Sequence, residues 1–262
     1  MAELLKGKRG LITGIANNRS LAYGIAKAMR EEGAELAFAA QLDIFGAKVA
    51  PIADELGVDL VCDYSATDDA VSKACFDKLG EAWGGLDFCV HAIAFSDKAE
   101  LTGSFTNTSR ANFKNSLDIS AYSLIDMARN AAPLMQDGGS IMALTYQGSK
   151  RATPWYNVMG VAKAALETTA LYLANDLGPQ GIRVNCISPG PMKTLSGAAI
   201  GGARKTFRFT EANAPLRRNA TLEAIGGTAV YLASDYSTCT TGECIMVDGG
   251  YHILGMPQPE HL

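Results

Sequence analysis

Short apolar or β-branched runs alternate along this chain with longer stretches of helical spacing, and that order constrains the fold more than any other feature. Strands are expected over 10–13, 35–39, 60–62, 87–92, 140–145, 183–188 and 244–247. Helices are expected near 22–31, 45–56, 68–83, 109–135, 155–177 and 222–232. A chain that alternates in this way lays its strands in parallel and packs helices on both faces of the sheet. Right-handed crossovers make such a sheet doubly wound, and continuously apolar strands suit burial on both faces. The expected fold class is therefore α/β, a single doubly wound domain over residues 1–262 with a seven-stranded parallel sheet. No linker, composition break or internal repeat divides the chain, and 262 residues are enough for a sizeable core.

Composition excludes several functions. Apolar residues make up 48% and charged residues 19%, a balance of folded soluble proteins rather than disordered ones. The formal charge of −4 argues against nucleic acid as the main partner. No apolar run approaches the roughly 18 residues of a membrane span, and no signal-peptide stretch precedes the first strand, so a cytoplasmic protein is expected. The cysteines, at 62, 75, 89, 186, 239 and 244, show no C-x-x-C spacing and are expected to be reduced and to act as small hydrophobes. His91, His252 and His261 are too scattered for a metal site or a catalytic triad.

Ligands of doubly wound sheets bind at the carboxyl edge. The first strand runs into Thr13-Gly14-Ile15-Ala16-Asn17-Asn18-Arg19-Ser20-Leu21-Ala22-Tyr23-Gly24. Gly14 lets the chain turn at positive φ, and Ser20 caps the next helix and offers a hydroxyl to a phosphate. The free amides of that helix start suit a pyrophosphate, and Gly24 is expected to let helix pack closely on strand. After the second strand, Gln41 can bond a ribose hydroxyl, while no Arg or Lys precedes Lys48; NADH is favoured over NADPH. Asp63 can accept from an adenine amino group or cap a helix. The backbone of Met192 and the hydroxyl of Thr194 stand where a nicotinamide amide and a pyrophosphate would be met. Segments 96–108 and 194–209 follow strands and should lie over the same edge, the second as a candidate lid or an ordinary loop.

Tyr156 and Lys163 complete the chemistry. Seven residues of α-helix turn through about 700°, roughly 20° short of two turns, so both should share one helix face about 10.5 Å apart along the axis. A phenol can donate to a carbonyl oxygen that gains negative charge. A neighbouring ammonium is expected to lower that phenol's pKa and to hold a cofactor ribose.

The sequence Tyr156-Asn157-Val158-Met159-Gly160-Val161-Ala162-Lys163-Ala164, the long Gly14-to-Gly24 loop and Val247-Asp248-Gly249-Gly250 together resemble the short-chain dehydrogenase/reductase superfamily, a Rossmann-fold group. More narrowly, the chain is similar to bacterial NADH-dependent enoyl-acyl-carrier-protein reductases, over residues 8–250. The resemblance implies reduction of the double bond of a trans-2-enoyl thioester by NADH, the last step of the fatty-acid elongation cycle. It implies that Tyr156 stabilises the enolate, that Lys163 binds the ribose and that Tyr146 is a second active-site tyrosine. It implies cofactor contacts at Gly14, Ser20, Leu21, Gln41, Asp63, Tyr64, Ile93, Met192, Lys193, Thr194, Leu195 and Ser196, a substrate contact at Ser96, and a homotetramer. Ala94 stands where glycine is common and Tyr64 where valine is usual.

Acyl carrier protein, an acidic partner, is the expected bearer of the substrate. Residues 193–218 carry six cations (Lys193, Arg204, Lys205, Arg208, Arg217, Arg218) against one carboxylate, Glu211, on an otherwise acidic chain. Such a patch can steer the carrier or simply be a solvated or subunit-interface face. Two other readings stay open. A carbonyl or alcohol dehydrogenase would pair its tyrosine with a preceding serine, and Tyr146, near Gly148 and Ser149, stands in that region. A non-catalytic dinucleotide sensor would have no need of Tyr156 and Lys163.

Overall fold

The computed structural model describes residues 3–192 and 203–261. All seven strands form: β1 Arg9–Thr13, β2 Glu35–Ala40, β3 Leu60–Asp63, β4 Phe88–His91, β5 Gly139–Leu144, β6 Ile182–Pro189 and β7 Cys244–Val247. They lie parallel in the order β3-β2-β1-β4-β5-β6-β7. Chain order reverses between β1 and β4, which places the switch-point crevice of a doubly wound sheet beside the residues that follow those two strands.

Period-two burial on both faces builds the sandwich. Ile12, Phe38, Phe88, Val90, Met142 and Ile187 pack under α1 (Leu21–Glu31), α2 (Leu42–Leu56) and α8 (Leu222–Ala233). Their strand neighbours Leu11, Ala37, Cys89, Ile141, Ala143 and Cys186 pack against α3 (Asp69–Trp83), α5 (Ser123–Ala131) and α6 (Val158–Leu177). Cys62, Cys75, Cys89 and Cys186 are buried in this second layer and all six cysteines are free. No helix among the described residues is long and apolar enough to cross a membrane.

Several expectations are corrected. Gly24 serves a helix–helix crossing: a Cβ there would sit 2.7 Å from the Leu222 Cβ of α8. The single helix expected over 109–135 is three pieces: α4 (Arg110–Leu117), a π turn at Asp118–Tyr122 and α5, ending in a 3₁₀ turn at Ala132–Leu134. Pro133 removes a donor at that end. At the π turn the Ser123 hydroxyl donates to the Ile119 carbonyl, and Ser120 binds the backbone of Phe95, so side chains compete with the ladder. Residues 203–213 are a helix, α7 (Ala203–Asn213), rather than loop. The rest of the lid expectation, 194–202, lies outside the described residues.

Candidate active site

Gly14 fixes the floor of the crevice. Its φ is +79°, and a Cβ there would sit 2.1 Å from the Ala92 carbonyl oxygen, so the chain leaving β1 lies directly against the chain leaving β4. Thr13 ties the two together, its hydroxyl donating to Val90 O and accepting from the Ala92 amide. Ser20 is the N-cap of α1: its hydroxyl accepts from the Tyr23 amide at 3.3 Å and donates to Asn17 O at 2.7 Å. The amides of Leu21 and Ala22 take no hydrogen bond among the described residues, which leaves two donors at the positive end of the helix.

Gln41, at the N-cap of α2, makes no side-chain capping bond. Asp63 does the capping in its place, accepting from the Leu42 amide at 3.0 Å. Tyr64 turns its side chain inward. Its ring is buried among Cys75, Phe76 and the rest of the α3–α5 layer, while its backbone N donates to Ala40 O. Only the backbone of Tyr64 can therefore meet a ligand. Ile93 is half-buried against the same layer. The Ser96 hydroxyl is tied to buried Asn112, whose Nδ2 donates to it at 3.1 Å. Met192 packs on the α1–α8 layer. Lys193, Thr194, Leu195 and Ser196 lie outside the described residues.

Tyr156 stands outside the helix on which it was expected, because α6 begins at Val158. It sits in a turn between two residues of positive φ, Trp155 at +62° and Asn157 at +39°. The Asn157 amide holds this conformation by donating to Glu100 O at 3.2 Å and Gly103 O at 3.4 Å. The Tyr156 ring is buried with Leu101, Val158 and Met159 and meets Tyr146 edge-on, centroids 4.9 Å apart. Gly148 makes room for both rings: a Cβ there would lie 2.4 Å from the Tyr156 ring and 3.3 Å from that of Tyr146. The Tyr156 hydroxyl takes no partner among the described residues.

Lys163 is 5% exposed and its Nζ donates to Leu144 O at 2.7 Å. Lys163 thus ends at the carboxyl end of β5, and the Tyr156 ring packs on Tyr146, two residues after that strand. Burial lowers the lysine to about 8, the weaker fields of Cys186 and Glu167 acting the other way. The expectation for the phenol is reversed. Burial first, then Tyr146 and Glu167, push Tyr156 well above the ordinary tyrosine value, so it stays un-ionised and a hydrogen-bond donor. His91, at the end of β4, is fully buried and held down to about 3 by burial, with Lys163 adding to the effect. It is neutral at physiological pH. The Ser123 hydroxyl already donates to Ile119 O, so His91 Nε2 carries the proton of the 2.7 Å bond between them.

A Gly14 cradle, free helix-start amides, a neutral phenol and a buried lysine at one sheet edge suit a dinucleotide and a substrate with a carbonyl oxygen. The sequence pattern of the Enoyl-(Acyl carrier protein) reductase family matches residues 14–252. The chain belongs to that family. It is 53% identical to enoyl-(acyl-carrier-protein) reductase (NADH) 1 of Rhizobium meliloti, across 97% of this chain and 93% of that one. Among solved structures it resembles the enoyl-acyl-carrier-protein reductase of Anaplasma phagocytophilum in complex with NAD, with TM-score 0.95 and 48% identity over 98% of each chain. It also resembles FabI of Candidatus Liberibacter asiaticus, with TM-score 0.96 and 45% identity over 98% of this chain and 100% of that one.

Within this enoyl reductase framework, Gly148, Asn157 and Glu167 were not singled out from the sequence. Glu167 was within reach of that reasoning, since it follows Lys163 by four residues and so shares its helix face. The positive φ at Asn157 left only a weak local signal, the tolerance of asparagine for that region.

Proposed function

We propose that the chain reduces the carbon–carbon double bond of a trans-2-enoyl thioester carried on acyl carrier protein, with NADH as the reductant. The observation that carries this reading is the un-ionised Tyr156 phenol beside Tyr146, with Lys163 buried at the same strand end. NADH, when bound, supplies the hydride. Gly14 and the Leu21 and Ala22 amides would hold its pyrophosphate, Gln41 and Asp63 its adenosine end, and Lys163 its nicotinamide ribose. Hydride addition at the β-carbon drives charge onto the thioester oxygen. Tyr156 donates to that oxygen, and a buried un-ionised donor there is worth more than one in water. Ile93 and Met192 border the site and exclude water. Ser96, linked to Asn112, lies at the substrate side.

The dehydrogenase alternative lacks its serine, because Ser149 spends its hydroxyl on Glu167 at 2.6 Å. We take the assembly to be a homotetramer, a reading supported by Leu171 and Tyr172, 53% and 68% exposed on the outer face of α6.

Arg204, Lys205 and Arg208 on α7 and Arg217 and Arg218 beyond it are all exposed, a surface complementary to an acidic carrier. The test is NADH oxidation with carrier-bound and coenzyme A-bound enoyl substrates. The unaltered chain should turn over both. Arg204→Glu with Lys205→Glu should raise KM about tenfold for the carrier-bound substrate alone, the size expected when charge steering is reversed. Equal effects on both substrates would remove the docking surface, and reduction of ketones but not enoyl thioesters would overturn the function.

A further inference from the structure

One side chain ties the two halves of the site together and has no part in the reaction described above. Glu167 lies one turn beyond Lys163 on α6, and its side chain is 14% exposed. Its Oε1 accepts from the Thr145 hydroxyl at 2.7 Å and from the Ser149 hydroxyl at 2.6 Å. Lys150 Nζ stands 3.9 Å from Oε2, on an exposed side chain where such a pair contributes little. Thr145 and Ser149 are the two ends of the segment that presents Tyr146 and Gly148. A single carboxylate therefore grips that segment at both ends and fastens it to the helix that bears Lys163. Charge-assisted bonds of this length are the stronger kind. Backbone contact follows the same line, since a Cβ on Gly160 of α6 would sit 2.7 Å from Gly148 O.

We propose that Glu167 is a positioning residue for this site, holding the 145–149 segment against α6 and thereby setting the contact of Tyr146 and Gly148 with Tyr156. The alternatives for this carboxylate are weaker. As a proton carrier to substrate it is poorly placed, because its Oε1 is already engaged by the hydroxyls of Thr145 and Ser149. It is no direct partner of Lys163, whose Nζ bonds Leu144 O. Its field is a minor contribution beside burial and favours the charged lysine and the neutral phenol.

The proposal rests on the enoyl-reductase reading for its kinetic arm and is independent of it for its structural arm. Glu167→Ala should lower kcat about tenfold or more with KM for the enoyl thioester little changed, because misplacement of a transition-state donor acts on the chemical step. Glu167→Gln keeps an acceptor oxygen for both hydroxyls and should recover most of that loss. Thr145→Val combined with Ser149→Ala removes the donors, leaves the carboxylate in place and should reproduce the Glu167→Ala defect. Hydrogen exchange across 145–149 should rise about tenfold in Glu167→Ala and in the double variant, and stay near the unaltered rate in Glu167→Gln. Unchanged exchange in the double variant would overturn the proposal whether or not the chain reduces enoyl thioesters. So would unaltered kcat in a double variant whose parent is active. A parent without turnover would instead overturn the function, leaving exchange to decide the role of Glu167.

Discussion

Tyr156→Phe should lose about 10²–10³ in kcat with an enoyl thioester, the usual result of removing one donor from an oxyanion site, while binding NADH nearly as well as the parent. The substitution deletes one oxygen and leaves the ring. The edge-on contact with Tyr146 at 4.9 Å and the packing on Leu101, Val158 and Met159 survive, so the fold and the cofactor crevice are undisturbed. What disappears is a hydroxyl that burial keeps protonated and that takes no partner among the described residues. Its interaction is made with charge that exists only after hydride has begun to move, and such an interaction appears in kcat rather than in binding. Stopped-flow reduction at saturating NADH, with a fluorescence titration of the cofactor, separates the two. A variant with parental turnover would remove Tyr156 from the chemistry.

Gly14→Ala should damage both stability and cofactor affinity. The new Cβ would lie 2.1 Å from Ala92 O and 2.7 Å from its carbonyl carbon, both backbone atoms, and the residue would have to hold φ at +79°. Neither strand end can swing aside without breaking the Thr13 bonds to Val90 and Ala92. Overpacking costs about 1–3 kcal/mol and a left-handed non-glycine residue about 1–2 more. The expected sum, about 2–5 kcal/mol, corresponds to a fall of roughly 5–15 °C in thermal midpoint at this chain length. NADH affinity should drop by about tenfold or more, since the crevice must widen at the position where the pyrophosphate approaches the backbone. Parental values of both quantities would show that the chain leaving β1 does not form the cofactor floor.

The sheet was legible because its central strands are buried on two faces, so that adjacent residues such as Leu11 and Ile12 both had to be apolar and serve opposite layers. Gly14 was legible for the related reason that only glycine suits a positive φ in so tight a contact. Where local signals and tertiary bonds disagree, the reading failed. Trp155 does not announce positive φ, and Asn157, though it tolerates that region better than most residues, is held there by its bonds to Glu100 and Gly103, which leave Tyr156 off the helix. The break between α4 and α5 has its cause in the serines at 120 and 123, which find partners at Phe95 and His91. Tyr64, which the resemblance places among the cofactor contacts, turns its ring inward beside Cys75 and Phe76 of the α3 layer, a side-chain placement that no local signal marked. The ammonium expected near Tyr156 suggested a lowered phenol, but burial of the ring prevails.

The most direct measurement follows the hydride itself. NADH carrying deuterium at the transferable C4 position should be incubated with a trans-2-enoyl thioester and the product analysed by NMR. Deuterium bound at the β-carbon of a saturated thioester, with a solvent proton at the α-carbon, is the result expected from charge developing on an oxygen held by Tyr156. Deuterium on the carbonyl carbon of an aldehyde or alcohol product, or its complete retention in the cofactor, would contradict the account.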